Sequence, residues 1–405
     1  MRLLIPLFSP ATGTWGGLTR GLAVAEAAQS AGHTVAFCAA GELGQVVRAR
    51  GYPVYEMPVA SFLGLPRLLA RPLVARSQHI NIPVPAGRAI GNIWLVLLFS
   101  GMARTRYLKR LVAAQLAATE DFRPDVLFTD LDPGAFLLAQ ITNLPIAATY
   151  ASVMEQGRGS FPWRLLWRAS AGVLEAYDRR SPAPELLAAG PHVLKIIPSI
   201  PLLDDADPER PDVRYVGHLL SPIQDPAADS FAPLPGQDYV FVYVGTGSLS
   251  LDTLRDVLPQ VFPAGSHTRC LVGSQSVKEV QRIGGVEFRP YVPAEAVLPY
   301  CRWTLCHGGQ NTITHSLLHD VPLLLFPGPI FERRYNAEKV VKASAGLMGE
   351  IGDFTPAWLR QALTQEGRRR TAAERLGTRI ESLGGAPAAV AAIEQWVSEG
   401  GPPLA

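Results

Sequence analysis

Cysteine is scarce in this chain, and its four residues, at positions 38, 270, 301 and 306, show no paired spacing. That excludes a disulfide framework and argues against a Cys/His zinc site. No other cluster of metal-ligating side chains stands out, so chemistry without a metal or a bound cofactor is expected. A long apolar run is also missing, since nothing approaches the roughly 18–20 residues that a spanning helix needs. The nearest stretch, Ile93 to Phe99, is flanked by Gly91 and Ser100-Gly101, with Arg104 and Arg106 close behind, and reads as a buried helix. An excess of one charge is absent too. Lys and Arg total 37 against 35 Asp and Glu, a net charge of +2, which leaves no broad electrostatic footprint for nucleic acid. No secretory leader is read at the start, because Met1 to Phe8 is short, broken by Pro6 and better suited to a first strand. Four thiols without such a leader point to a cytoplasmic protein.

What is present is an α/β pattern. At 405 residues and 48% hydrophobic content the chain is long enough for two or three domains with full cores. Strand-like runs at Leu3–Phe8, His33–Cys38, Asp125–Asp130 and Pro145–Thr149 alternate with helical stretches at Leu18–Ala31 and Gly134–Thr142, the pattern of a parallel sheet with covered faces. Residues 198–235 are rich in Pro and Asp and read as a connection. A second alternating run begins at Tyr239–Val244 and continues through Arg269–Val272 and Val286–Pro290. Two halves of similar plan predict two Rossmann-like domains facing a central cleft, with ligands outside the carboxyl ends of the strands. The expected division is 1–217 for the first domain, 218–236 for the linker and 237–384 for the second domain. Residues 385–405 are expected to form a terminal helix that packs back on the first domain.

The densest chemistry lies between Cys306 and Asn336. A strand ends at Cys306, His307-Gly308-Gly309 form a turn that allows positive φ, and Asn311-Thr312 open a helix. A buried strand follows at Val321–Pro327. A strand feeding a glycine turn and a helix N-terminus is a device for holding phosphate, since free N–H groups and the positive dipole end both face the anion.

The residues from Phe288 to Gly346 resemble the donor-binding signature of the family 1 glycosyltransferases of GT-B fold, which include UDP-glycosyltransferase-like and macrolide or other natural-product types. The match runs through Tyr291-Val292-Pro293, Val297-Leu298, His307-Gly308-Gly309, Asn311-Thr312, Val321-Pro322, Pro327, Glu332, Asn336-Ala337 and Ala345-Gly346. Weaker similarity covers nearly the whole chain. The resemblance implies that Tyr291 stacks on the base and that the Val292 backbone meets its edge. It also implies that His307, Gly308, Gly309, Asn311 and Thr312 hold the diphosphate. Glu332, with Arg333 beside it, would contact the sugar, and Gly245, Thr246 and Ser248 would form the opposite phosphate-side loop.

Three departures from the family pattern bear on mechanism. Many relatives carry a catalytic His directly after the glycine of the first loop, where this chain has Gly13 followed by Thr14-Trp15, and Gly17 where Pro is usual. The family's ribose-binding Glu falls at His315, which leaves UDP and dTDP both open, and its Asp-Gln pair appears as Glu332-Arg333. A threonine hydroxyl is no base near neutral pH. Asp130, which matches the carboxylate that orients the missing His, is therefore the expected base, directly or through water, with Asp132 as the alternative. Thr14 and Trp15 are expected to line the acceptor pocket.

Phe161 to Arg168 mixes tryptophan with arginine at helical spacing. It predicts a peripheral contact with the inner face of a membrane, an entrance for an apolar acceptor, or an ordinary amphipathic helix. With Trp94 in the Ile93–Phe99 segment, it favours a hydrophobic acceptor such as a polyketide, terpenoid or lipid. The resulting expectation is an inverting, metal-independent glycosyltransferase that uses a UDP- or dTDP-sugar. The alternatives are a nucleotide-sugar epimerase of similar fold, and a catalytically degenerate auxiliary homologue that binds sugar nucleotides.

Overall fold

In the computed structural model the structure describes residues 1–9, 15–65, 88–89, 91–179, 190, 192–221, 233–234, 236–244 and 248–400. The first half alternates as the apolar runs require: β1 (Arg2–Pro6), α1 (Trp15–Ser30), β2 (Thr34–Ala39), α2 (Gly41–Ala49) and β3 (Val54–Glu56). It continues with α3 (Ile93–Phe99), α4 (Thr105–Phe122), β4 (Val126–Thr129), α5 (Pro133–Thr142), β5 (Ile146–Thr149), α6 (Phe161–Leu174), β6 (Val193–Ile197) and β7 (Val213–Tyr215). The seven strands form one parallel sheet in the order β3-β2-β1-β4-β5-β6-β7. Strands β4, β5 and β6 are buried at every position, as expected when helices cover both faces.

The second half contains β8 (Asp238–Tyr243), α7 (Leu251–Val261), β9 (Thr268–Gly273), β10 (Gln281–Ile283), β11 (Val286–Arg289), the single turn α8 (Ala294–Val297) and β12 (Cys301–Cys306). After it come α9 (Gln310–Leu318), β13 (Leu323–Leu325), α10 (Phe331–Lys342), β14 (Gly346–Met348), α11 (Pro356–Leu363), α12 (Glu366–Glu381) and α13 (Gly385–Ser398). Its sheet runs β10-β11-β9-β8-β12-β13-β14, with only the edge pair β10–β11 antiparallel. Strand order therefore reverses between β1 and β4 in one sheet and between β8 and β12 in the other. Crevices at such switch points, outside the carboxyl ends of the strands, are where open α/β sheets take ligands.

The chain returns to its starting domain at the end. Ala386, Ala389, Val390, Ile393 and Trp396 of α13 are buried in one cluster with Leu18, Leu22, Ala25 and Ala28 of α1, and His33 Nε2 lies 2.6 Å from Glu394. The halves also meet through α10. Phe331 is buried in the core beneath the first sheet, Tyr335 packs against the same cluster, and the Tyr335 hydroxyl lies 2.7 Å from Ser152 Oγ. Asp205 accepts an ion pair from Lys339. Gln310 Nε2 donates to the Pro198 carbonyl at 2.8 Å. Among the described residues no helix is long and apolar enough to cross a membrane.

Ile393 is fully buried against α1. Ile393→Ala is expected to lower unfolding free energy by about 2–5 kcal/mol, measured by urea denaturation. A loss below about 1 kcal/mol would show that α13 is not part of the first domain's core.

Candidate active site

On the side of the second sheet the site is built at the ends of β8 and β12. Parallel pairing sets Tyr243 opposite Cys306 and Cys306 opposite Leu325, so three strands end level and the turn after β12 rises between them. His307 is buried beside Tyr243, with ring centroids 5.7 Å apart. Its Nδ1 lies 3.4 Å from the Tyr243 carbonyl. A carbonyl only accepts, so Nδ1 carries the proton in that contact. Burial first, and then the charge of Arg333, push the imidazole down to about 3, with the Tyr243 carbonyl opposing.

Gly308 takes φ +84, and a Cβ there would lie 2.6 Å from the Arg333 carbonyl, so the turn accepts only glycine against α10. Asn336 Nδ2 donates to the Gly308 carbonyl at 3.1 Å and ties the same helix to the turn. Helix α9 then starts at Gly309 with no side chain capping it, leaving the first-turn amides near Asn311 and Thr312 to face an incoming group. Glu332, exposed at the start of α10, and the more enclosed Arg333 stand beside the turn. Burial lowers the Arg333 guanidinium, and Glu332 opposes that shift. Tyr291 is 44% exposed and Val292 is buried. The Ser248 hydroxyl donates to the Phe326 carbonyl and docks its loop on β13. Gly245 and Thr246 lie outside the described residues.

On the side of the first sheet the expectation needs correcting. Asp130, at the end of β4, is not a free carboxylate. Arg20 Nε and Nη2 donate to its two oxygens at 2.8 and 3.0 Å, and the Thr149 hydroxyl donates to Oδ1 as well. Thr14 lies outside the described residues. Gly17 faces Asp130, and a Cβ there would lie 2.5 Å from Asp130 Oδ2. The glycine at the start of α1 leaves the space, and Arg20, one turn later, fills it. Burial works to lower Arg20, but the charge and hydrogen bonds of Asp130, helped by Glu332, raise it above its ordinary value. An arginine so paired accepts no proton.

Asp132 is also engaged. Its Oδ1 accepts from Gly134 N at 2.8 Å as the cap of α5, and its Oδ2 accepts from Gln115 Nε2 at 2.8 Å. Full burial pushes it up to about 7, against both hydrogen bonds. That value suits a base, but the position, 1% exposed beneath the strand end, does not. Trp94 is corrected as well. It is buried in the core, with its indole N–H donating to the Gln156 carbonyl at 3.0 Å and its ring edge-on to Trp163. On α6, Trp163 stacks on Trp167 and both pack inward, while Phe161, Arg164 and Arg168 face out. The helix therefore does not present an aromatic belt. Trp15 begins α1. His315, at the family's ribose position, lies 3.9 Å from Glu295 and is pushed down to about 4 by burial.

Sequence reading missed Arg20 and Tyr243. The available signal for Arg20 was a basic residue one helical turn after a Gly16-Gly17 pair. Tyr243 closes an apolar strand with an exposed aromatic ring, which the strand pattern alone does not mark.

Comparison with known proteins agrees with this geometry. Residues 240–381 match the model of the glycosyltransferase family 28 C-terminal domain. The whole chain superposes on the kitacinnamycin glycosyltransferase with a TM-score of 0.74 and 19% identity, covering 97% of this chain and 98% of that one. For the glycosyltransferase VinC in complex with dTDP the TM-score is 0.68 at 19% identity, with coverage of 98% and 100%. The UDP-N-acetylglucosamine--N-acetylmuramyl-(pentapeptide) pyrophosphoryl-undecaprenol N-acetylglucosamine transferase of Streptomyces collinus is 32% identical over 133 residues, 30% of this chain and 36% of that protein. The chain thus spans about a third of the length of the curated relatives it matches. Its fold is the GT-B fold. On that fold, residues 240–381 are similar to the family 28 C-terminal domain.

The raised carboxyl of Asp132 has a consequence for stability. An unfolded Asp ionises near 3.9, whereas the folded one holds its proton to about 7. Between those values the folded state binds more protons, so this residue's contribution falls as pH rises from about 4 to about 7. Asp132→Asn is expected to remove that slope, because an amide at the cap can serve Gly134 N and offer N–H to the otherwise unpartnered Gln115 Oε1. Urea denaturation of both proteins across this range checks it. Identical pH slopes would contradict the assignment.

Proposed function

We propose that this chain is an inverting glycosyltransferase that moves a sugar from a UDP- or dTDP-sugar to a hydroxyl of a hydrophobic small-molecule or lipid acceptor. One observation carries the reading: the His307 turn and the uncapped first turn of α9 stand at a switch point facing the other domain. The amides of Asn311 and Thr312 and the Thr312 hydroxyl hold the diphosphate, with His307 packed beside Tyr243 at the base of the turn. Tyr291, 44% exposed, stacks on the base, and Glu332 accepts hydrogen bonds from sugar hydroxyls. The VinC structure contains dTDP, and the Streptomyces collinus relative is named for a UDP-sugar. Both support a nucleotide-sugar donor here and leave the base open.

In the proposed step an acceptor oxygen, approaching from the first domain, bonds to the anomeric carbon on the side opposite the diphosphate. The bond from that carbon to the diphosphate breaks with its electron pair, and the configuration inverts. Backbone dipoles fixed before the reaction stabilise the departing charge. Both oxygens of Asp130 are engaged, so the acceptor's proton passes to solvent, which favours an acidic hydroxyl such as a phenol over an alkanol. Any peripheral membrane contact would fall to Phe161, Arg164 and Arg168, the outward residues of α6. A second reading, an auxiliary sugar-nucleotide-binding homologue, is favoured by the occupation of Asp130 by Arg20. Sugar transfer or donor hydrolysis by the purified protein rejects it.

A thermal-shift panel of UDP, dTDP and GDP tests the donor site. Ligand at about 100 times its dissociation constant is expected to stabilise by about 2.7 kcal/mol. His307→Ala removes the ring that packs beside Tyr243 in the turn and should weaken the preferred diphosphate about tenfold, a loss of about 1.4 kcal/mol. A chain that no nucleoside diphosphate stabilises would sink the proposal.

A further inference from the structure

Arg20 stands where the two domains meet. Its Nε and Nη2 donate to the two oxygens of Asp130, while Nη1 lies 3.4 Å from Oδ1 of Asn311, in the first turn of α9. A carboxylate matches one edge of a guanidinium in two parallel bonds and so fixes its plane. Once that edge is fixed, Nη1 is aimed across the cleft at the second domain. Gly17 provides the room, since a Cβ there would strike Asp130 Oδ2 at 2.5 Å.

The contact with Asn311 is long for an N–H···O bond, whose usual range ends near 3.2 Å. Nη1 therefore retains donor capacity in the direction it faces. Glu332, the carboxylate assigned to the sugar, also acts on Arg20 electrostatically. The Arg20 side chain is only 14% exposed. A cation enclosed in this way acts on a nearby anion with little screening by solvent.

We propose that Arg20 is the first domain's half of the diphosphate site, reaching across the cleft to the anion held by α9, with Asp130 as the positioning residue that aims it. The proposal rests on the donor-binding reading above. It changes the role of Asp130 from proton acceptor to anchor. It also ties donor binding to closure of the cleft, because the anion is gripped from both domains at once. As the bond from the anomeric carbon breaks, the electron pair gathers on an oxygen that faces a fixed cation.

The test is calorimetric titration of UDP, dTDP and their monophosphates into the wild type, Arg20→Met and the double variant Arg20→Met/Asp130→Asn. The double variant leaves no unpaired buried charge, and its near-ultraviolet circular dichroism establishes the fold before titration. For whichever diphosphate the wild type binds, its dissociation constant is expected to rise at least about tenfold in both variants, with the monophosphate changing less than about threefold. Equal diphosphate affinity in wild type and variants would overturn the role of Arg20 while leaving the donor site intact. Equal weakening of mono- and diphosphate would assign Arg20 a structural role and also overturn it. A wild type that binds neither diphosphate would remove the donor-binding reading and this inference together.

Discussion

A helix that begins without a side-chain cap must satisfy its first amides with something else. In this chain α9 begins that way at Gly309, at the point where strand order reverses in the second sheet. The surrounding structure serves that one feature. Level strand ends at Tyr243, Cys306 and Leu325 set the height of the turn. Gly308 lets α10 approach within contact of it, and Asn336 fastens the two together. An anion-seeking helix end is costly to leave bare in an apolar setting and useful beside a cleft.

The opposite wall has a different logic. The first domain places a bidentate ion pair where a proton acceptor was expected, and a glycine makes the pairing possible. Replacing a base by an arginine changes what the wall can do: it can orient and neutralise anions, and it cannot receive a proton. The contacts of Phe331, Tyr335 and Ser152, together with the return of α13 to the first domain, hold this wall opposite α9. The Arg20–Asp130 pair and the relative placement of the domains are thus parts of one arrangement.

Much of this was legible in the residues. The parallel sheets follow from apolar runs such as Val126–Thr129, and the turn after β12 follows from His307-Gly308-Gly309 before a small polar helix start. What escaped were effects of distance along the chain. Arg20 and Asp130 are 110 residues apart, and no periodicity links them. Gly17 reads in the sequence as a turn residue, and only in three dimensions does its missing side chain leave room for Asp130. Trp94 shows the same limit from the other side. An aromatic residue in a short apolar segment reads equally as pocket or core, and only packing against Trp163 and the bond to Gln156 decide for core. Asp132 reads as a carboxylate near a strand end, yet its oxygens cap one helix and accept from another.

The most direct test is a crystal structure of the chain with a bound nucleoside diphosphate. The account predicts the diphosphate between the first-turn amides of α9 and His307 on one side and Arg20 Nη1 on the other, with Arg20 still paired to Asp130. A nucleotide bound elsewhere, or a diphosphate that leaves the turn after β12 untouched, would contradict it.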